Sequence, residues 1–213
     1  MNNNVQKAQP SVGFIGLGVM GHRMLTNMTA HGGFNVTRAW DPDPQAAALW
    51  ARSADRAWPA LEALGLAPGA SPDRVVFCER REEAVAGADL VQESAPERLE
   101  LKQDLLAEID ALADPEAIVA SSTSGYRISE LRARCRVAPE RVLVAHPFNP
   151  VYLIPLVELA GGSDTAAALL DRAEALYAQA GKTVLRVDGE LDGFVANRLQ
   201  EAIWREALHM VDN

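Results

Sequence analysis

A glycine-spaced turn between a strand-like run and a helix-like segment restricts the fold of this chain more than any other feature. The turn reads Gly16-Leu17-Gly18-Val19-Met20-Gly21 and follows the apolar run Val12–Ile15. In such a turn the first glycine makes the tight bend, the second lets the backbone approach a pyrophosphate, and the third lets helix and strand pack closely. The pyrophosphate would face the positive end of a helix over Val19–His31. All six turn residues are therefore candidate cofactor-binding residues.

A carboxylate after the second apolar run indicates which dinucleotide the turn would bind. Asp41 follows the run Phe34–Trp40 and lies 25 residues after Gly16. A carboxylate at this point can accept both hydroxyls of the adenosine ribose, and it repels a 2′-phosphate. The sequence therefore predicts NAD rather than NADP. A glycine-rich turn that binds nothing is the alternative, and the joint presence of strand, helix and Asp41 argues against it.

Apolar runs of strand length alternate with amphipathic segments of helix length along the chain. This alternation predicts an α/β fold, a doubly wound and mostly parallel Rossmann sheet with helices on both faces. The predicted strands are Val12–Ile15, Phe34–Trp40, Arg74–Phe77, Asp89–Val91, Ala117–Ala120, Val142–Ala145, Ile154–Leu159 and Thr183–Val187. The predicted helices are Val19–His31, Gln45–Leu64, Leu99–Leu112, Thr165–Ala180 and Phe194–Val211.

The last predicted helix has an apolar face that needs a partner surface, and no later segment supplies one. We therefore expect residues 1–190 to form the NAD-binding domain. Residues 191–213 would then begin a helical C-terminal domain that is truncated here. The alternative is that this helix packs on the sheet of its own domain.

Charge and cysteine content argue against several other classes of protein. The net charge is −9, and a chain this acidic is a poor candidate for nucleic acid or anionic membranes. Cys78 and Cys135 lack metal-ligand spacing, so we expect no metal and a reduced compartment. No apolar run approaches the ~18 residues of a membrane span, and the polar segment Met1–Pro10 predicts no signal peptide. We expect a cytoplasmic protein without a nucleic-acid or membrane partner.

A histidine and a glutamate near two predicted strand ends are candidates for proton transfer. His146 follows the sixth strand, and Glu158 interrupts the apolar run Ile154–Leu159. A buried carboxylate is costly unless it is paired, and His146 is the obvious partner if the two segments fold back on each other. Such an imidazole takes a hydroxyl proton while the carboxylate fixes its tautomer. A structural histidine and a solvent-facing glutamate are the alternatives.

Other polar residues are expected at the same edge of the sheet. Ser124 ends the run Ser121–Ser124 after the fifth strand, where its hydroxyl can form a hydrogen bond with a substrate or with the nicotinamide. The alternative is a structural role, because serine and threonine are common in turns and at helix N-caps. Asn197 is polar on an apolar helix and would either donate to a substrate carbonyl or cap a neighbouring backbone group. Glu93 ends the fourth strand, near where the nicotinamide ribose would lie.

From about Ser11 onward, the chain resembles the L-3-hydroxyacyl-CoA dehydrogenase family. The resemblance implies that His146 and Glu158 form a catalytic dyad and that Ser124 and Asn197 contact substrate and cofactor. It also places Asn149 on the cofactor side and Glu93 and Arg98 at NAD, and it implies a homodimer through a C-terminal helical domain. The matching pieces are the glycine turn, Ser121-Ser122-Thr123-Ser124, His146-Pro147-Phe148-Asn149-Pro150, Leu156-Val157-Glu158 and Gly193-Phe194-Val195-Ala196-Asn197-Arg198.

Three stretches, residues 92–102, 149–158 and 201–207, are similar to the carnitine-oxidising branch of that family. The implied reaction is oxidation of the 3-hydroxyl of a small 3-hydroxy acid, L-carnitine, to 3-dehydrocarnitine. Oxidation of L-gulonate or of a 3-hydroxyacyl-CoA, and a non-catalytic NAD-binding role, stay open as alternatives. Aromatic faces bind quaternary ammonium groups, and Phe148, Tyr152 and Trp204 are candidates, although packing is the commoner role for any one ring.

Overall fold

A computed structural model describes residues 9–212 and shows an eight-stranded sheet with helices on both faces. Residues 1–8, most of the segment in which we expect no signal peptide, lie outside the described residues. The strands are β1 Val12–Ile15, β2 Thr37–Trp40, β3 Val75–Phe77, β4 Leu90–Glu93, β5 Ile118–Ser121, β6 Val142–Pro147, β7 Leu156–Ala160 and β8 Thr183–Val187. Most predicted strands are displaced by one to three residues at an end, and the predicted fold class is confirmed.

The strand order β3-β2-β1-β4-β5-β6-β7-β8 reverses direction between β1 and β4. Strands β1 to β6 are parallel, β7 is antiparallel to β6, and β8 is parallel to β7. In doubly wound sheets, ligands bind beyond the carboxyl ends of the strands at the point where the order reverses. This topology places the expected site beyond the ends of β1 and β4.

Seven α-helices connect or follow the strands in the described part of the chain: α1 Val19–His31, α2 Ala46–Leu64, α3 Arg81–Val85, α4 Leu99–Leu112, α5 Ile128–Leu131, α6 Ala167–Gln179 and α7 Ala196–Asp212. Helices α1 and α4 have their predicted bounds. The sequence does not predict α3 and α5, because five and four residues are too few to show a helical period. None of the described helices is both long and apolar enough to cross a membrane.

Two hydrophobic clusters lie on opposite faces of the sheet. Phe14, Leu25 and Tyr177 belong to the cluster under α1, α2 and α6. Ile15 and Leu106 belong to the cluster under α3, α4 and α5. Strands β1, β4, β5 and β6 are buried along their whole length. Strand β1 therefore appears in the sequence as a continuous apolar run, and each of the other three begins with one. Burying each large apolar side chain contributes about 1.5–3 kcal/mol.

Strand β6 is longer than the sequence predicts, and this changes the position of His146. The prediction ends β6 at Ala145, whereas the strand continues to Pro147 and pairs with β7. His146 therefore lies within the strand rather than after it, directly opposite Glu158 in the antiparallel register.

Helix α7 leaves its apolar side exposed. None of its described residues is buried, and Val211 is 82% exposed. The helix therefore does not pack on the sheet of its own domain, which was the alternative to a second domain. The boundary between residues 190 and 191 stays a prediction. The exposed apolar side chains of α7 are Leu199, Ile203, Trp204, Leu208, Met210 and Val211.

Candidate active site

A cavity of about 620 Å³ lies where the strand order reverses. Its walls come from the glycine turn, from the end of β2, and from the segments that follow β4 and β5. The position agrees with the general location of ligands in doubly wound sheets. The lining residues are Ile15, Gly16, Gly18, Val19, Met20, Trp40, Asp41, Pro42, Arg81, Ser94, Ala95, Pro96, Glu97, Leu101, Leu105, Ser122 and Ser124.

The glycines of the turn have different physical roles. Gly16 has a φ of +91°, and a Cβ there would lie 2.8 Å from the backbone of Ser94 and Ala95. A Cβ on Gly21 would lie 2.1 Å from the carbonyl oxygen of Gly16, so this glycine lets the helix pack against the turn. A Cβ on Gly18 would meet no atom within 4 Å. Gly18 therefore borders open space, where a pyrophosphate fits.

The N-terminus of α1 at this turn has the features of an anion site. Gly18 is its N-cap and offers no side-chain hydrogen bond, and the first turn contains no acidic residue. The free N–H groups and the helix dipole therefore favour a negatively charged group at the cavity. This local geometry can hold a phosphate although the chain as a whole is acidic.

Asp41 is fixed at the cavity wall beside the glycine turn. Its Oδ2 accepts a hydrogen bond from the Leu17 N–H at 2.6 Å, and its Oδ1 accepts one from the Asp43 N–H at 2.8 Å. Each carboxylate oxygen has a further lone pair that can accept a hydroxyl group. The cavity residues therefore fit a dinucleotide whose adenosine ribose has free hydroxyls, which is NAD.

His146 and Glu158 form a buried pair. His146 Nδ1 lies 2.9 Å from Glu158 Oε2, and the residues are 6% and 0% exposed. Glu158 Oε1 accepts hydrogen bonds from the N–H groups of Val195 and Ala196, at 2.9 and 2.8 Å. Because the carboxylate acts as an acceptor at both oxygens, Nδ1 of the histidine carries the proton. The lone pair of Nε2 is then available to take a proton from a substrate.

Two phenylalanine rings flank this histidine. The ring centres of Phe148 and Phe194 lie 4.7 and 5.5 Å from that of His146. Phe194 has a φ of +54° and is 2% exposed, and it precedes the residues that bind Glu158. A non-glycine residue with such a φ costs about 1–3 kcal/mol, which burial and these hydrogen bonds offset. Phe194 is not among the site residues that the sequence predicts.

The aromatic residues expected to surround a quaternary ammonium do not gather at His146. Of the three, only Phe148 contacts it. Tyr152 packs instead against Ala30, Ala57 and Leu61. Trp204 is 64% exposed on α7. The positions of these residues along the chain suggested a common site. They do not show the direction in which the side chains of the loop and of the helix point.

Ser124 connects the cavity to α7. It lines the cavity, its N–H donates to Glu97 Oε1 at 2.9 Å, and its carbonyl oxygen accepts a hydrogen bond from Asn197 Nδ2 at 2.8 Å. Asn197 lies one residue after Ala196, whose N–H binds Glu158. The structure therefore brings Ser124 and Asn197 together between the cavity and the histidine pair.

Asn149 lies on the loop after β6, where a side-chain contact fixes it to α1. Its Oδ1 accepts a hydrogen bond from Arg23 Nη1 at 2.7 Å. Arg23 is in the second turn of α1, whose N-terminus faces the cavity. This contact positions Asn149 relative to the phosphate-binding end of the helix. Asn149 itself is exposed and is not among the cavity-lining residues.

Glu93 is held inside the protein, whereas Arg98 lies at its surface. Glu93 is fully buried, and its carboxylate binds Lys102 Nζ at 2.9 and 3.2 Å, the Ala95 N–H at 2.6 Å and the Ser121 hydroxyl. Arg98 is exposed at the start of α4, and neither residue lines the cavity. The sequence does not reveal Lys102, the buried partner of Glu93, and the contacts of Glu93 and Arg98 with NAD stay predictions.

Glu97 is the carboxylate after β4 that does line the cavity. Its Oε1 accepts hydrogen bonds from the Thr123 hydroxyl at 2.5 Å and the Ser124 N–H at 2.9 Å, and its Oε2 lies 3.5 Å from Lys102 Nζ. Lys102 thus bridges Glu93 and Glu97, and the hydrogen bonds of Glu97 join the segment after β4 to the segment after β5. Glu97 is not among the predicted site residues, although its position in a polar loop after a buried strand was a usable signal.

Fold and site together define a Rossmann-type dinucleotide-binding domain that also contains a buried histidine–carboxylate pair. Residues 11–191 match the family model described as "3-hydroxyacyl-CoA dehydrogenase, NAD binding domain". The match covers most of the chain. The chain therefore belongs to the 3-hydroxyacyl-CoA dehydrogenase family, as the motifs predicted.

Relatives of similar sequence are L-carnitine dehydrogenases. The enzyme of Streptomyces griseus is 54% identical over 202 residues, which are 95% of this chain and 59% of that protein. The enzyme of Pseudomonas putida is 51% identical over 199 residues, which are 93% of this chain and 61% of that protein. The chain thus spans about three fifths of the length of these relatives.

Solved structures with the same fold include two dehydrogenases. A 5-formyl-3-hydroxy-2-methylpyridine 4-carboxylic acid 5-dehydrogenase superposes with a TM-score of 0.86 at 36% identity, over 96% of this chain and 65% of that one. The 3-hydroxybutyryl-CoA dehydrogenase of Escherichia coli superposes with a TM-score of 0.84 at 26% identity, over 97% of this chain and 43% of that one.

Proposed function

We propose that the protein containing this chain is an NAD-dependent dehydrogenase that oxidises the 3-hydroxyl of L-carnitine to give 3-dehydrocarnitine. The observation that carries the reaction type is the buried pair of His146 and Glu158, with 2.9 Å between Nδ1 and Oε2, in a domain with a dinucleotide cavity. The choice of carnitine rests on relatives named L-carnitine dehydrogenase, which are 54% and 51% identical to this chain in sequence.

In this proposal His146 is the general base. Its Nε2 takes the proton of the substrate hydroxyl, and Glu158 holds the ring in the required tautomer and stabilises the imidazolium that forms. NAD, when bound, supplies the acceptor for the hydride. Phe148 and Phe194 pack against the imidazole and shield it from water. Phe148 is only partly buried, and its aromatic face suits a cationic quaternary ammonium. Ser124 and Asn197 are the proposed contacts to substrate and cofactor, and Asn149 is a proposed contact on the cofactor side.

Substrate panels test the choice of carnitine. NAD reduction is measured with L-carnitine, L-gulonate, 3-hydroxybutyrate and 3-hydroxybutyryl-CoA, and we expect the highest kcat/KM with carnitine. A clear preference for gulonate or the thioester would reject carnitine and leave a 3-hydroxy acid dehydrogenase. No reduction with any of the four, despite NAD binding, would favour a non-catalytic NAD-binding protein.

The Asp41 carboxylate is expected to determine the preference for NAD over NADP. Asp41→Ala should weaken NAD binding and narrow the gap to NADP, because it removes the acceptor for the ribose hydroxyls and the charge that repels a 2′-phosphate. Calorimetric titration of both cofactors measures the two affinities. Asp43→Ala is a matched control. It also removes one carboxylate, but Asp43 lies two residues after Asp41 and does not line the cavity. A wild-type protein that binds NADP as tightly as NAD would contradict the assignment.

Glu158→Gln should separate chemistry from cofactor binding. The amide oxygen of the new glutamine would accept the hydrogen bonds from the N–H groups of Val195 and Ala196, so its NH₂ group would face Nδ1 of His146. Nδ1 would then act as an acceptor, and the tautomer that leaves Nε2 without a proton would no longer be favoured. We expect turnover to fall by about tenfold or more while the Kd for NAD changes little. Steady-state rates and NAD titration of the same preparation measure both quantities. An equal loss of NAD affinity would point to a structural role instead.

Three further features of the proposal concern the whole protein. We propose that residues from 191 onward begin a helical domain that completes the substrate site. We also propose that this domain forms the interface of a homodimer, because α7 has an exposed apolar side. The proposed location is the cytoplasm, in keeping with two free cysteines among the described residues. Sedimentation of the full-length protein tests the dimer.

A further inference from the structure

One end of the cavity is built from residues that neither the glycine turn nor the histidine pair requires. Trp40 ends β2, and Arg81 is the first residue of α3. The guanidinium carbon of Arg81 lies 5.1 Å from the centre of the Trp40 ring. Both residues line the cavity beside Asp41, and the remaining wall at this end is apolar, formed by Pro42, Leu101 and Leu105.

Two contacts fix the guanidinium of Arg81. Its Nη2 lies 2.5 Å from Glu108 Oε2, in an ion pair that joins α3 to α4. The indole of Trp40 lies against one face of the group in a cation–π contact. The side chain is 28% exposed, yet its Nε is buried and has no hydrogen-bond partner among residues 9–212. The ion pair and the indole contact hold the guanidinium in one orientation at the cavity wall.

The order of groups along the cavity indicates which ligand this end would take. Arg81 and Trp40 offer a planar cation on an indole, Asp41 offers acceptors for ribose hydroxyls, and Gly18 borders the phosphate space. Base, ribose and phosphate occur in the same order in the adenosine half of NAD. A guanidinium plane stacks on a heteroaromatic base, and apolar side chains cover its edges.

We infer that Arg81, supported by Trp40, is the residue on which the adenine of the cofactor stacks, so that these two residues set the affinity for the adenosine half of NAD. The inference rests on the proposed function, because the ligand is the proposed cofactor. Arg81 does not act as a phosphate binder, since Glu108 already neutralises its charge and Asp41 lies beside it in the cavity wall.

Titration of the full-length protein with NAD, AMP and nicotinamide mononucleotide tests the inference. In Arg81→Ala the Kd for NAD and for AMP should rise about tenfold, the size expected for loss of one stacked cation. The Kd for nicotinamide mononucleotide should not change, because that ligand lacks adenine. Arg81→Lys keeps the charge but loses the plane, and it should give an intermediate Kd for AMP.

Arg80→Ala is the matched control. Arg80 precedes Arg81, its side chain is 70% exposed, it pairs with Glu83, and it does not line the cavity. The control removes the same charge and should leave all three affinities at the wild-type value. Tryptophan fluorescence gives a second measurement: AMP should quench the wild-type protein, and Trp40→Phe should remove most of the quenching.

The possible results separate the two proposals. If the wild-type protein binds no NAD, the proposed function fails. If NAD binds and Arg81→Ala binds AMP as tightly as wild type, the adenine assignment is wrong and the proposed function stands. Equal losses for AMP and nicotinamide mononucleotide, or a lower melting temperature with a general loss of binding, would also overturn the assignment. So would a larger loss for NADP than for NAD, which would identify Arg81 as a phosphate-binding residue.

Discussion

Substitution of His146 by alanine is expected to lower the turnover of L-carnitine by about 100-fold or more, the scale of losing a general base. The expectation follows from the proposed role of Nε2, which is the ring nitrogen left free when Nδ1 donates to Glu158. Steady-state measurement of NAD reduction in the full-length protein gives the change in kcat.

Two controls make this result specific to proton transfer. NAD affinity of the His146 variant should stay close to wild type, because His146 does not line the cavity. His31→Gln changes a half-buried histidine at the end of α1, away from the proposed site, and should leave kcat unchanged. Wild-type turnover in His146→Ala would remove this residue from the mechanism. Loss of NAD binding along with turnover would indicate a damaged fold.

The cofactor half of the site could be predicted from the sequence because its signals are local. The spacing of Gly16, Gly18 and Gly21 encodes the turn, and a carboxylate at the end of β2 follows from counting along the chain. The structure adds physical reasons that spacing alone does not give. Gly16 and Gly21 are required by close approach of protein atoms, whereas Gly18 borders open space.

The histidine pair was predictable from the cost of burial rather than from a motif of fixed spacing. Glu158 in an apolar strand needed a partner, and His146 was within reach if β6 and β7 paired. The sequence did not show the antiparallel register that sets these residues opposite each other. It also did not show that Glu158 binds the first N–H groups near α7.

Contacts between residues far apart in the chain account for what the sequence did not reveal. Glu93 was expected at the nicotinamide ribose, but Lys102 and Ser121 take its carboxylate in the interior. Arg81 reaches the cavity from a helix of five residues, too short to predict by periodicity. Phe194 contacts His146 only because the chain returns to the sheet edge after β8.

Gly18→Val is expected to weaken NAD binding by about 100-fold without destabilising the fold. Gly18 has a φ of −66° and a ψ of −167°, a conformation open to any residue, and its Cβ position meets no protein atom within 4 Å. Added methyl groups would instead occupy the space proposed for the pyrophosphate and separate it from the N–H groups of α1. Losing charge-assisted hydrogen bonds worth about 3 kcal/mol corresponds to this factor.

Two further glycine variants distinguish loss of ligand space from loss of structure. Gly18→Ala adds only one methyl group and should cause a smaller loss of NAD affinity than valine. Gly16→Ala should lower the melting temperature, because its φ of +91° is strained for alanine and its Cβ would lie 2.8 Å from backbone atoms. NAD titration together with thermal unfolding measures both effects. If Gly18→Val binds NAD as tightly as the wild-type protein, the pyrophosphate does not lie at this turn. If the melting temperature of Gly18→Val falls as far as that of Gly16→Ala, a glycine is required at position 18 for folding and not for cofactor binding.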